Sequence, residues 1–271
     1  MPTATALHYN STLIRLSQAQ LNLLEICPPQ FQRLYLEQLG SPMSPEIQDN
    51  LTWGSQFHQL MQQRELGLPI DSLLGKNQDL QQTMTALVTA VETQHEVNQT
   101  PWKEAEHCRN LSLQGYLFTV IYDLLMLAED RAQILDWKTY LQPQNPQKLA
   151  KNWQTRLYLY VLAETSDYPP EQISMTYWFV KLPHEPQCLT FAYNQKEHKK
   201  THKDLTKLLS KLDNFLEDYN QNNINFSHLN NCAETCLYSS LFPELKDSID
   251  NEDETENNLL SIIDEIEEVS I

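Results

Sequence analysis

The sequence predicts an α/β fold in which helices flank one central mixed β-sheet, and three observations carry that expectation. Apolar residues at helical spacing fill the first hundred positions, three strand-like runs follow between Trp102 and Thr139, and helical and strand-like segments alternate again beyond Pro146. An N-terminal helical segment and an acidic C-terminal tail flank the sheet region.

Ser17 followed by Leu21, Leu24, Phe31, Leu34 and Tyr35 reads as an amphipathic helix, interrupted near Pro28 and Pro29 because proline lacks an amide hydrogen and clashes in a helix interior. Pro45 to Leu66 is a second helix, and Gln78 to Val97 a third that Pro101 ends. Trp102 to Leu113, Tyr116 to Leu127 and Gln133 to Thr139 are rich in Leu, Ile, Val and Tyr. Gly115 and the polar turn Glu129-Asp130-Arg131 separate them, so three adjacent antiparallel strands are expected. Pro146 to Thr165 returns to helical spacing, Ile173 to Val180 and Cys188 to Tyr193 form a hairpin around Pro183 to Pro186, and a long polar helix runs from Lys196 to about Tyr219.

The chain thus divides into a helical part at 1–100, a core at 101–243 and a tail at 244–271. Asn251 to Asn258 has almost no apolar residues, a composition that predicts disorder. Leu260, Ile263 and Ile266 then recur between acids, the pattern of a peptide that docks on a partner protein.

The formal net charge of −17 argues against nucleic-acid binding until its distribution is read. From Glu244 onward eleven acids stand against Lys246 alone, which leaves about −7 for the remainder. Five cysteines at irregular spacing do not suggest a disulfide framework. No apolar run approaches the ~20 residues that span a bilayer, and the first ten residues lack a basic segment leading into an apolar one, so a cytoplasmic protein without a membrane partner is expected.

Chemistry concentrates in the second and third strands. Side chains alternate along a strand, so Ile134, Asp136 and Lys138 share one face while Leu135 and Trp137 share the other. Asp123 lies in an otherwise apolar run, where a charge is costly without a partner. Two aspartates on neighbouring strands offer hard oxygen ligands suited to Mg2+ or Mn2+, and Lys138 beside them can position a nucleophile and stabilise a phosphate transition state. Phosphodiester hydrolysis is the reaction such a set supports.

Asp123 and the run Ile134-Leu135-Asp136-Trp137-Lys138-Thr139 resemble the signature of the PD-(D/E)XK nuclease superfamily, in its RecB-like and CRISPR-associated exonuclease branch. Leu16-Ser17 through Leu23 to Cys27-Pro28 and Phe31 resembles the opening helix of that branch. Gly54-Ser55-Gln56-Phe57-His58 resembles its Gly-x-x-x-His block, and Gln154-Thr155-Arg156-Leu157-Tyr158 its Gln-x-x-x-Tyr helix. The blocks come in family order over roughly Leu16 to Phe242. The resemblance implies a restriction-endonuclease-like core and a divalent-metal-dependent DNA exonuclease or endonuclease of repair, recombination or defence. It implies metal ligands at His58, Asp123, Asp136 and the Trp137 backbone carbonyl, and catalytic roles for Lys138, Asp136, Asp123, Gln154 and Tyr158.

Glu106 is a weaker accessory acid, since Glu104 lies two residues away on the same predicted face. Val120 stands where the resemblance leads one to expect glycine, three residues before the first acid, and is expected to crowd the approach. Four-cysteine relatives hold an iron–sulfur cluster, and Cys27, Cys232 and Cys236 match part of that set. Ser240-Leu241-Phe242 lacks the final cysteine and the spacing Cys232-x-x-x-Cys236 is one residue too long, so the cluster is expected to be degenerate or lost. Lys199, Lys200, Lys203 and Lys207, among six lysines from Lys196 to Lys211, are the substrate-binding candidates. Two other functions compete: an inactive nuclease-like DNA-binding or scaffold subunit, and an interaction protein that captures a helicase or a repair or defence protein through its acidic tail.

Overall fold

The computed structural model describes residues 13–40, 45–70, 74, 77–94, 102–139, 145–181 and 186–229. The tail, Cys232 and Cys236 lie outside the described residues.

A short strand, β1 (Ile14–Leu16), opens the described chain and was not foreseen from sequence. Helix α1 (Gln18–Ile26) follows, started by a reciprocal capping box in which Ser17 Oγ accepts from the Gln20 amide and Gln20 Oε1 accepts from the Ser17 amide. The break expected at the proline pair falls at Cys27, and Pro28 opens the short helix α2 (Pro28–Phe31), where its missing amide hydrogen leaves no helical bond unmade. Helices α3 (Pro45–Glu65) and α4 (Gln78–Gln94) come next.

Strands β2 (Trp102–Leu113) and β3 (Tyr116–Leu127) are joined by Gln114 and Gly115, both at positive φ (51° and 82°), the backbone of a tight two-residue hairpin. β4 (Ala132–Lys138) completes the antiparallel trio. The single helix expected from Pro146 to Thr165 is two, α5 (Pro146–Lys151) and α6 (Trp153–Glu164), because Asn152 adopts an extended conformation and its side chain caps α6. The antiparallel pair β5 (Ile173–Phe179) and β6 (Gln187–Ala192) and the long helix α7 (Gln195–Asn222) follow.

The sheet is mixed, in the order β1-β3-β4-β5-β6, with β2 on the other edge of β3. β2 pairs along β3 except at Glu106 and Asp123, whereas the opposite edge of β3 is shared: β1 runs parallel to Tyr116, Leu117 and Phe118, and β4 runs antiparallel to 124–127. Residues 119–123 of that edge have no strand partner among the described residues. β5 is parallel to β4 and continues the sheet past the point where β3 stops pairing.

Helices cover both faces. α1, α6 and α7 pack on one, against Phe118, Tyr122, Ile134 and Tyr177, and α3 and α4 pack on the other, against Leu124, Leu135, Trp137 and Trp178. Ile134 and its neighbours Leu135 and Trp137 therefore divide between the faces as alternation requires. This is the α/β arrangement expected from sequence, with a central mixed sheet flanked by helices in the manner of restriction endonucleases. Among the described residues, no helix is long and apolar enough to cross a membrane.

One polar clamp ties the first helix to the helix that later supplies Gln154. Asn22 Oδ1 accepts from the Trp153 amide at 3.0 Å, its Nδ2 donates to Asn152 Oδ1 at 3.0 Å, and Trp153 Nε1 donates to Glu25 at 2.9 Å. Replacing Asn22 by alanine strands a buried amide, so Asn22→Ala is expected to lower stability by about 1–3 kcal/mol. A urea midpoint shifted down at constant slope checks this, and an unchanged midpoint contradicts it.

Candidate active site

The site forms where β4 parts from β3. Their ladder ends at the pair Leu124↔Leu135, so the next opposed positions are Asp123 and Asp136. There a side chain takes over from the backbone: Asp123 Oδ2 accepts the Trp137 amide hydrogen at 2.6 Å, a short charge-assisted bond in buried surroundings. Beyond it Asp136, Trp137 and Lys138 remain paired with β5, opposite Tyr177, Trp178 and Phe179.

Asp136 and Lys138 are almost fully buried, at 1% and 4% exposure, on the α6 face of the sheet. Lys138 Nζ lies 3.0 Å from Asp136 Oδ1, and Gln154 Nε2 donates to Asp136 Oδ2 at 2.8 Å. The ammonium also stands 5.4 Å from the centre of the Tyr177 ring, whose hydroxyl is 2.8 Å from Thr155 Oγ1. Thr155 and Gln154 start α6, so one helix end secures both the aspartate and the tyrosine beside the lysine.

On the other side of Asp123 lies α3. His58 Nδ1 is 3.3 Å from Asp123 Oδ1, one turn after Gly54. That glycine permits close approach, since a Cβ at position 54 would lie 3.1 Å from Thr139 Oγ1, on the residue that follows Lys138. Glu106 stands opposite Asp123 in the β2–β3 register. His58, Glu106 and Asp123 each offer one ligand atom, all within 4.8 Å of one another.

Two adjoining groups thus contain Asp123, Asp136 and Lys138, the three residues expected to converge on one ion. One is a nitrogen and two carboxylates from α3, β2 and β3; the other is the Asp136–Lys138 pair held by Gln154. Asp123 belongs to the first and is bonded to the peptide that links the members of the second.

Glu104 and Glu106 do not act as a same-face pair: Glu106 has φ 51°, which breaks the alternation, and exposed Glu104 contacts His107 Nδ1 at 2.5 Å. Tyr158 is buried in the main core, edge-on to Tyr122 at 5.3 Å, and its carbonyl accepts from the Tyr122 hydroxyl at 3.0 Å. Burial pushes the Tyr122 phenol far up, which keeps that donor protonated. Val120 is wholly buried in the same core. Cys27 is buried beside Ile26 and Leu229.

Lys199, Lys200, Lys203 and Lys207 are exposed on α7, together with Lys196 and Lys211. Their spacing along the helix places them on its outward side, opposite the buried Leu205, Leu208, Leu209 and Leu212. α7 is joined to α6 by Arg156 and Asp204 at 2.6 Å. Tyr177, Thr155 and Asn22 were missed in the sequence. Only the helix-start pattern around Asn152 gives any hint of the last two, and the parallel partner of Asp136 has no local signal.

The profile of the PD-(D/E)XK nuclease superfamily matches residues 15–241, most of the chain. No curated protein matches the sequence. Among solved structures, a "putative exonuclease" from Eubacterium rectale is similar at 8% identity and a TM-score of 0.48, over 90% of this chain and 99% of that one. The protein SSO0001 is similar at 12% identity and a TM-score of 0.32, over 72% of this chain and 76% of the other.

The buried pair supports a stability prediction independent of activity. Lys138→Ala leaves Asp136 without its counter-charge in the core and is expected to destabilise by about 3–5 kcal/mol. The double variant Lys138→Met/Asp136→Asn removes both charges and is expected to recover most of that loss. Thermal unfolding of the two proteins provides the comparison, and equal melting temperatures contradict it.

Proposed function

We propose that this chain, which belongs to the PD-(D/E)XK nuclease superfamily, hydrolyses DNA phosphodiester bonds with a divalent cation, as an exonuclease of repair, recombination or defence acting in the cytoplasm. The observation that carries this reading is a buried lysine–aspartate pair adjoining a cluster of cation donors at a fork between two strands.

The donor set fits Mg2+ or Mn2+: two carboxylates and one imidazole, close enough to share an ion, with the nitrogen favouring Mn2+. His58, Asp123 and Glu106 would hold the ion, and Asp136 and the Trp137 carbonyl would add further ligands. When bound, such an ion supplies Lewis-acid stabilisation of charge developing on the phosphate.

The remaining work belongs to side chains. Lys138, beside Asp136, delivers a positive donor to the attacking water and to the phosphate oxygens. Gln154 fixes the Asp136 carboxylate so that it faces Lys138 in one orientation. Tyr158 packs the inner wall of the site through Tyr122, the neighbour of Asp123. Lys199, Lys200, Lys203 and Lys207 hold the DNA backbone by charge without reading sequence. The acidic tail supplies the docking peptide for a helicase or other repair or defence protein.

Labelled single- and double-stranded DNA, incubated with Mn2+, Mg2+ or EDTA, tests the reaction. Cleavage is expected to require the ion and to fall by roughly a hundredfold or more in Asp136→Asn and Lys138→Met. Cleavage in EDTA, or equal rates in wild type and both variants, overturns the assignment. For the helix, replacing the four lysines with glutamine is expected to weaken binding in Ca2+ for every sequence alike. It is also expected to flatten the plot of log affinity against log salt by about 0.7–0.9 for each phosphate no longer neutralised. An unchanged slope removes α7 from the interface.

A further inference from the structure

Glu106 occupies the left-handed region, at φ 51°, in the middle of β2. The ladder is interrupted at Glu106 but its register does not shift, for Ala105↔Leu124 and His107↔Tyr122 keep one register on either side and no residue is inserted. What changes is the facing of the side chains. On β3, Tyr116, Phe118, Val120 and Tyr122 enter the main core, while Leu124 and Met126, at the same parity, pack in the opposite layer. On β2, Leu111 and Leu113 pack against the main core, whereas Ala105, again at the same parity, packs in the opposite layer. Both strands reverse their alternation at the opposed positions Glu106 and Asp123.

A left-handed backbone is unfavourable for a residue with a Cβ, and glutamate lacks the short side chain that lets asparagine and aspartate tolerate it. The reversal brings the Glu106 carboxylate to Asp123 and His58. We infer that Glu106 is a strained ligand, held in an unfavourable backbone conformation so that β2 can contribute a third donor to a divalent cation. This rests on the metal-dependent reading above. Its consequence is an opposition between two properties at one residue: what improves the ion-free fold weakens the ion site.

Full-length protein stripped of metal, with Glu106→Gly and Glu106→Gln beside wild type, separates these properties. Glycine relieves the backbone, so the ion-free melting temperature is expected to rise by about 2–4 °C. Glutamine keeps the left-handed backbone strained and is not expected to raise it. Titration with Mn2+ by calorimetry is expected to show affinity weakened about tenfold or more in both variants, with a smaller Mn2+-induced rise in melting temperature than in wild type. A lower ion-free melting temperature for Glu106→Gly, or wild-type Mn2+ affinity in either variant, overturns the inference. Neither readout needs cleavage. A protein that binds Mn2+ through Glu106 but cuts nothing defeats the nuclease reading alone, and an active nuclease whose Glu106 variants bind Mn2+ normally defeats this inference alone.

Discussion

The bond from the Trp137 amide to the Asp123 carboxylate holds together the two halves of the site. β3 and β4 cease to pair at Leu124↔Leu135, and strands that part normally leave backbone donors to water. Here the donor is buried and Asp123 accepts it, so a carboxylate grouped with His58 and Glu106 on one side is fixed to the peptide between Asp136 and Lys138 on the other. Spacing between the two groups is thereby set by a strand fork, not by flexible side chains. Oxygen Oδ2 is committed to the amide while Oδ1 faces His58, so a single carboxylate performs both tasks.

The energetics around this bond indicate that the site is maintained against stability. Removing two charges from water is expensive, and their mutual attraction seldom repays it by a wide margin; apolar replacements for buried pairs are often neutral or stabilising by about 1–4 kcal/mol. Asp136 and Lys138 are nonetheless almost fully buried, held as an ion pair at 3.0 Å, with Gln154 bonded to the other carboxylate oxygen and the face of Tyr177 adding to the enclosure. The surrounding core is large and apolar on both faces of the sheet, with Trp153, Tyr122, Phe118 and Leu125 on one and Phe57, Leu60 and Trp137 on the other. Such a core supports a local deficit, whereas a small domain with the same pair would have little margin.

Strand bounds, the antiparallel trio and the sharing of one face by Asp136 and Lys138 were legible because each rests on a local signal: a turn residue, a two-residue period, an apolar run. What escaped lacks one. β1 is three residues long and pairs in parallel with a strand about a hundred positions away, so no turn announces it. Tyr177 reaches Lys138 through a parallel register that a crossover connection leaves open, and Asn152 splits a helix whose apolar spacing runs on without a break. Glu106 illustrates a different failure. Alternation puts Glu104 and Glu106 on one face, and it is the departure from alternation, invisible in the residue types, that distinguishes them. The lysines of α7 were found by composition, but only the buried leucines opposite them establish that they point outward.

Why the site lies on β3, and not at a loop, follows from how that strand's edge is divided. A parallel strand and an antiparallel strand approach the same edge from opposite ends, and neither covers its centre. The uncovered stretch leaves room where an unbroken ladder would place backbone on backbone, and helices on both faces can reach it: α3 brings His58 from one side and α6 brings Gln154 from the other. A continuous six-strand ladder through Asp123 would pair the positions that now diverge and leave the Trp137 amide to a backbone carbonyl. Asp123 would then have no amide to hold, and nothing would fix the cation donors relative to Lys138. The gap in the sheet is thus the structural condition for this arrangement of Asp123, Asp136 and Lys138, and it arises from the topology of β1, β3 and β4.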